Sequence, residues 1–424
     1  MMVYNNMSLT EFSRRRVFHM KNKVIILLAV IMLFIVAGCT NDGAGTPAPG
    51  DRVVFVDANF EKAIRDALNK PAGVITLADM ESVTVLSNEY ADITSLSGIE
   101  YCINLEWLYL TRGSISDISA LKGLTSLTYL YLINNNISDI SALGGLTSLT
   151  YLYLGGTGIS DISVLGELTS LTGLSLVCDS VSDISVLKEL PSLTGLSLNG
   201  SSISDISVLG EMTSLTELAI AHTSSISDIS VLGELTSLTY LSLSGNDSIS
   251  DVSVLKELTS LTSLSLFAND IISDISALSE LDSLTYLDLA DNSISDISPL
   301  GDLTSLTELY LSNNSISDVS SLKGLTSLMR LVLDRNNISD VSALSELTSL
   351  RYLELSRNNI SDISPLKDLT SLTELWLTDN SISDISPLKG LTSSIYLYLG
   401  NNKITDWSPV AHMESVGGRP FPAN

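Results

Sequence analysis

The residues that could carry chemistry are few and scattered. The chain of 424 residues holds three cysteines (Cys39, Cys102, Cys178) and three histidines (His19, His222, His412), none grouped with another. A zinc site draws its Cys and His ligands from clustered positions, and acid–base catalysis places a titratable group within hydrogen-bond reach of its substrate. Neither pattern is present, nor is a Gly-rich phosphate loop following a strand. The expectation is therefore no enzyme, no cofactor and no metal site, with too few cysteines for a disulfide framework. Acidic residues number 48 against 22 basic, a formal charge of −26. Such a chain is repelled by nucleic acid and by anionic lipid headgroups, so neither is an expected partner.

Two residue types do recur with order, aspartate and the large aromatics, and their order identifies the elements that hold them. An I-S-D-I-S-x-L phrase repeats with its Asp from Asp117 to Asp406, at steps of 22 residues apart from three consecutive steps of 23. Periods of this length denote a solenoid, so the length does not argue for several domains. One unit, Leu124 to Leu143, reads LTSLTYLYLINNNISDISAL. In Leu130-Tyr131-Leu132 apolar residues alternate at period two, which turns the leucines inward and Tyr129, Tyr131 and Ile133 outward on one sheet face. Asn135 stands where the strand must turn, and an inward amide can satisfy backbone groups that the turn leaves unpaired. The repeating Asp precedes a short apolar helical phrase and can cap its free N–H groups. Pro299, Pro365, Pro387 and Pro409 follow three residues after it, in a first-turn position that needs no N–H.

The unit L-x-x-L-x-x-L-x-L-x-x-N-x-I-x-D-I-x-x-L resembles the leucine-rich repeat, and the 22-residue step with D-I-S-P-L is similar to the internalin-like bacterial class. The resemblance implies an α/β solenoid: a leucine-rich repeat horseshoe with a parallel concave sheet, a short 3-10 or loop convex side and a helical N-terminal cap. Fourteen strands align, from Leu108-Tyr109-Leu110 to Leu397-Tyr398-Leu399. Asp57 to Asn69 has Phe60, Ile64 and Leu68 at four-residue spacing, an amphipathic helix resembling the internalin cap. Trp407-Ser408-Pro409-Val410 departs from the phrase and reads as the closing end. The expected organisation is a signal peptide over 1–38, a tether over 39–50, the cap over 51–79, repeats over 80–407 and a C-terminal cap over 408–424.

The signal reading rests on Lys21 and Lys23 followed by an unbroken apolar run from Val24 to Ala37. That run is short for a membrane span and suits an export signal. It ends in Val36-Ala37-Gly38-Cys39, which looks like the lipobox of bacterial lipoproteins. The resemblance implies that Cys39 becomes a lipidated N-terminus, with more than one acyl chain for stable anchoring. Met20 is the expected true start, because Met20-Lys21-Asn22-Lys23 is a complete n-region. The expected location is the outer face of a bacterial cell membrane, at the cell surface.

The side chains alternating with the strand leucines carry most of the aromatics. Trp107, Tyr109, Tyr129, Tyr131, Tyr151 and Tyr153 form a block in the first coils, followed by Gly173, Ser175, Gly195, Ser197 and Ala219. The last third mixes Tyr310, Arg330, Glu354, Trp376, Tyr396 and Tyr398. Tyr and Trp anchor interfaces, so these twelve large side chains are the expected ligand-binding surface; cross-strand stacking on a sheet is the competing reason for aromatics there. The expected ligand is a protein outside the cell, bound by a monomer, with a glycan as the alternative. The Asp ladder invites Ca²⁺, although capping explains the same residues. Asn is replaced over Thr157, Asp179, Ser201 and Thr223, which reads equally as a looser section or as repeat drift. Cys102 and Cys178 lie coils apart, so no bond is expected between them.

Overall fold

The computed structural model describes residues 51–418, apart from 90–91, 157, 201, 224, 392–395 and 414. Cys39, the signal and the tether lie outside the described residues. The chain divides into two compact units, the first ending at Val208 and the second beginning at Leu209.

The first unit begins with α1 (Ala58–Ala67), as the spacing of Phe60 and Ile64 requires, and both of those side chains are fully buried. Asp57 caps it: Oδ1 accepts the N–H groups of Asn59 and Phe60 at 2.8 and 2.9 Å. Its other oxygen accepts the Thr94 N–H at 2.7 Å and the Thr94 hydroxyl at 2.8 Å. One carboxylate thus pins the helix start to the segment entering the repeats. A second helix, α2 (Leu77–Glu81), starts at a reciprocal capping box between Thr76 and Asp79.

Six parallel strands follow in chain order: β1 (Val85–Asn88), β2 (Trp107–Leu110), β3 (Tyr129–Leu132), β4 (Tyr151–Gly155), β5 (Gly173–Val177) and β6 (Gly195–Asn199). The second unit continues with β7 (Glu217–Ala221), β8 (Tyr240–Ser242), β9 (Ser263–Ser265), β10 (Tyr286–Asp288), β11 (Glu308–Tyr310), β12 (Arg330–Val332), β13 (Tyr352–Glu354), β14 (Glu374–Trp376), β15 (Tyr396–Tyr398) and β16 (Val416–Gly417). These too pair in parallel, each with the next. The expected solenoid is therefore present, with a short 3-10 turn returning each coil to its next strand. β1, with Leu86 in register with Leu108, falls inside the expected repeat span, and β16 adds a strand after it, where no leucine phrase announces one.

Register explains the rest. Equivalent positions pair, as in Trp107↔Tyr129↔Tyr151↔Gly173, so each strand position becomes a column running across the sheet. Leucines such as Leu108, Leu130 and Leu152 form the inner columns and are fully buried. All fourteen repeat aspartates, from Asp117 to Asp406, accept the N–H of the serine two residues later at 2.8–2.9 Å. Capping thus accounts for the ladder.

The asparagines do what an inward amide can do. Asn336 donates to the Leu311 and Leu333 carbonyls at 2.9 and 3.1 Å and accepts the Ile316 N–H at 3.0 Å. It satisfies its own coil and the one before it. The residue preceding the amide is forced left-handed in most coils, with φ of 57° at Asp291, 56° at Arg335 and 58° at Arg357, an energetic cost of about 1–2 kcal/mol each.

Where Asn is missing, backbone replaces it. β4, β5, β6 and β7 run five residues, longer than the three-residue strands from β8 to β15. In the first unit Gly156 N–H donates to the Val177 carbonyl at 3.3 Å and Cys178 N–H to the Asn199 carbonyl at 2.9 Å. Pairing is carried further along the strands, to Gly155↔Val177 and Val177↔Asn199, while Thr157 and Ser201 lie outside the described residues. Glycine permits it, since a Cβ on Gly156 would collide with the Ile137 carbonyl, and one on Gly200 with that of Cys178. Cys102 and Cys178 are free and buried, as expected, with burial pushing their thiols up to about 12 and about 11.

Candidate binding surface on the outward sheet face

The in-register columns set outward side chains one strand spacing apart, about 4.8 Å, close to the distance at which rings stack. In the first unit, Trp107 lies 3.7 Å from Tyr129 at 11°, and Tyr109 lies 4.5 Å from Tyr131 at 24°. Tyr151 and Tyr153 extend the two columns, at 6.2 Å from Tyr129 and 5.3 Å from Tyr131. A ring in the middle of such a block loses its water. Tyr129 and Tyr153 are each only 2% exposed, and burial raises the Tyr129 phenol far above its ordinary value. The expectation of six open rings is corrected accordingly: Tyr129 and Tyr153 support the block from within. Trp107, Tyr109, Tyr131 and Tyr151 remain partly exposed. On β5 and β6 the same columns hold Gly173, Ser175, Gly195 and Ser197, all buried.

In the second unit the first column reads Tyr286, Glu308, Arg330, Tyr352, Glu374, Tyr396, and the second Asp288, Tyr310, Val332, Glu354, Trp376, Tyr398. Trp376 stacks on Tyr398 at 3.6 Å and 12°, and Tyr286 meets Tyr310 at 5.5 Å. The Arg330 guanidinium sits 3.7 Å over the Tyr352 ring. Tyr310 donates its hydroxyl to Glu308 at 2.7 Å, and Trp376 Nε1 donates to Glu374 at 2.8 Å. Burial and then the Glu308 bond push the Tyr310 phenol upward. Tyr396 is the most open of the group at 56%.

Glu354 departs from the expected open surface, being 9% exposed. Burial raises its carboxyl to about 7; bonds from Ser356 pull it down, and the negative charges of Asp334 and Glu374 push it up. No sequence signal announced this. A second feature did leave one. Strand-entry threonines donate their hydroxyls to the carbonyl of the preceding coil, as Thr150 does to Thr128 at 2.9 Å and Thr285 to Thr262 at 3.0 Å. In the LTSLT phrase Met329 and Arg351 replace that threonine, beside Arg330 and Tyr352. Met329 is 42% exposed.

Nothing here arranges a nucleophile with a base. His222 and His412 are exposed, and among the described residues no group of three or more His, Cys, Asp or Glu could hold a metal ion. Among the same residues no helix is long and apolar enough to cross a membrane. What this face offers is contact: ring edges, hydrogen-bonded carboxylates and a stacked arginine.

Comparison with known proteins follows the same lines. The family model described as Leucine Rich repeats (2 copies) matches residues 236–280, 282–324, 348–390 and 370–412, and the model described as Leucine rich repeat matches 103–159 and 304–360. No curated protein matches in sequence. Among solved structures, the chain is similar to an internalin, InlF, of Listeria monocytogenes. Identity is 35% and the TM-score 0.57, covering 88% of this chain and 96% of that one. A leucine-rich repeat protein of Leptospira interrogans is 23% identical at a TM-score of 0.66, over 78% of this chain and 93% of that one. A plant peptide hormone receptor in complex with RGF2 is 21% identical at 0.57, over 79% and 62%. The last two likenesses are of fold alone.

Proposed function

The chain belongs to the leucine-rich repeat proteins, and from that premise we propose that it is an exported, lipid-anchored recognition protein of a bacterial cell envelope, binding a protein with the outward face of its sheet. Proteins of this family typically serve as interaction scaffolds, and the solved plant receptor carries RGF2 on the same kind of fold. The reading of this chain as non-enzymatic is supported by the family's usual role as an interaction scaffold. Anchoring at Cys39 and exposure at the cell surface rest on the signal and lipobox phrases of the sequence.

The observation that carries the proposal is the partly exposed aromatic set, Trp107, Tyr109, Tyr131 and Tyr151 in one unit and Tyr310, Trp376, Tyr396 and Tyr398 in the other. Rings of this kind supply large contact area at low entropic cost. Their stacking also favours protein over glycan. A sugar ring packs on an open aromatic face, whereas Trp107 and Tyr129, or Trp376 and Tyr398, already spend a face on each other.

The test is capture by the full chain of envelope and extracellular proteins, set against purified wall polysaccharide. A protein held by the wild type and released by combined Tyr109→Ala, Tyr131→Ala and Tyr151→Ala supports the reading. Retention of every captured protein by that variant, or binding of polysaccharide alone, contradicts it. Loss of membrane association in Cys39→Ala tests the anchor, and unchanged association sinks it.

A further inference from the structure

The charges on the outward face of the second unit do not balance. On the columns themselves Asp288, Glu308, Glu354 and Glu374 stand against Arg330 alone, while beside the columns Asp334 is joined by Arg335, Arg351 and Arg357. Three of the arginines nearby are engaged, Arg330 with the Tyr352 ring, Arg335 with Asp334 at 3.7 Å and Arg357 with Asp379 at 3.4 Å, and Arg351 stands exposed at the entry of β13. Glu354 has a different partner. Its Oε1 accepts the Ser356 N–H at 2.9 Å, and no ion pair reaches it among the described residues.

A carboxylate removed from water gains most from a cation, because its attraction is least screened there. Glu354 has Val332 beside it on β12 and Trp376 beside it on β14. The flanking coils carry Arg330 and Asp334 on the β12 side, Arg351 and Arg357 in its own coil and Glu374 on the β14 side, and of these Asp334 and Glu374 act on its carboxyl. Trp376, stacked on Tyr398, adds an aromatic surface that attracts a cation and covers an aliphatic stem. Met329, 42% exposed at the β12 entry, supplies an apolar margin.

We propose that this face, from β11 to β14, takes a lysine- or arginine-bearing extended protein segment whose cationic group pairs with Glu354 beside Trp376. This rests on the outward face being the binding surface and adds the chemistry of the partner. The raised carboxyl of Glu354, about 7 through burial first and then through Asp334 and Glu374, gives the pairing a pH dependence. A basic side chain binds the ionised form, so affinity grows as pH rises through that value and falls below it.

The full chain is titrated with a synthetic ten-residue peptide alternating lysine and threonine, and with its counterpart carrying glutamate for lysine, at pH 8.0 and 5.5. The lysine peptide binds saturably, more weakly at pH 5.5. Glu354→Gln weakens it about tenfold at pH 8.0 and loses the difference between the two pH values. A control with Glu257→Gln and Glu280→Gln, both exposed at the ends of 3-10 turns, changes affinity less than about twofold. The unfolding midpoint of Glu354→Gln at pH 8.0 is not lowered, which separates pairing from misfolding. Absence of saturable binding, equal loss in the control, or equal binding of the glutamate peptide overturns the inference. A natural protein partner held equally by wild type and Glu354→Gln overturns it too, yet leaves the proposed function standing; failure of any protein to bind the outward face removes that reading itself.

Discussion

Replacing Tyr129 by alanine takes out one of the two enclosed rings of the first unit's outward face. The ring is 2% exposed and has Trp107 at 3.7 Å, Tyr153 at 5.6 Å and Tyr151 at 6.2 Å. An aromatic side chain buries roughly 150–250 Å², which at about 25 cal/mol per Å² gives roughly 4–6 kcal/mol as an upper bound. Truncation of a buried large aromatic costs about 3–5 kcal/mol, and that is the expected loss. Tyr131, partly exposed in the neighbouring column, keeps most of its area buried but leaves no closed cavity, and loses about 2–3 kcal/mol by the same area reasoning. With a urea m-value of about 2 kcal/mol/M, the midpoint falls by about 2 M for Tyr129→Ala and by about 1–1.5 M for Tyr131→Ala. Trp107 is the natural reporter, and in a Trp376→Phe, Trp407→Phe background it is the one tryptophan left. Its fluorescence follows the first unit alone, which matters because repeats can unfold in sections. A Tyr129→Ala midpoint no lower than that of Tyr131→Ala would refute the view that stacking makes one ring structural and leaves the other free for contact.

Three further outcomes follow from the same geometry. Asn336→Ala removes the amide that donates to Leu311 and Leu333 and accepts from Ile316; leaving those groups unpaired costs about 2–4 kcal/mol, read as a lowered urea midpoint, with Asn337→Ala, exposed at the next position, as the near-neutral comparison. Gly200→Ala sets a Cβ against the Cys178 carbonyl and lowers stability by about 1–3 kcal/mol, whereas Gly123→Ala meets no atom within 4 Å but carries φ of 96° and costs only backbone strain, about 1–2 kcal/mol. Repeat aspartates such as Asp117, Asp139 and Asp161 are held below their ordinary pKa, Asp139 by the hydroxyl and N–H of Ser141. A depressed folded value means stability present above the unfolded pKa and lost as pH falls through the folded one. The thermal midpoint therefore declines on acidification below the usual carboxylate range, and Asp139→Asn declines less; equal slopes would contradict the capping account.

Much of the fold was legible because each local rule is repeated in every coil. Leucine spacing placed the strands, Asn135 and its equivalents the turns, and the Asp of each phrase the 3-10 start. What escaped the sequence depends on neighbouring coils rather than on one of them. Tyr129 and Tyr131 have the same type and alternate identically, yet only the stacking of Trp107, Tyr151 and Tyr153 around Tyr129 seals it off. Glu354 occupies an outward position like any other, and its burial follows from what flanks it. β16 lies outside the phrase because strand pairing needs only a backbone edge, not a leucine, whereas β1 keeps Leu86 in register with Leu108. The left-handed residue before each asparagine carries no signature either, since Arg335 and Arg357 fill it as well as Asp291 does. The long strands from β4 to β7 could have been suspected from Gly156 and Gly200, where the missing side chain marks a close backbone approach.

The central claim is that the outward sheet face meets a protein. Its most direct measurement is photo-crosslinking in the producing cells, with p-benzoylphenylalanine replacing Tyr131 or Tyr398 on that face and, separately, Ser253 in a 3-10 turn. Discrete protein adducts from positions 131 and 398, and none from 253, are the predicted result. Adducts of equal yield from position 253, or none from either position on the sheet, would contradict it.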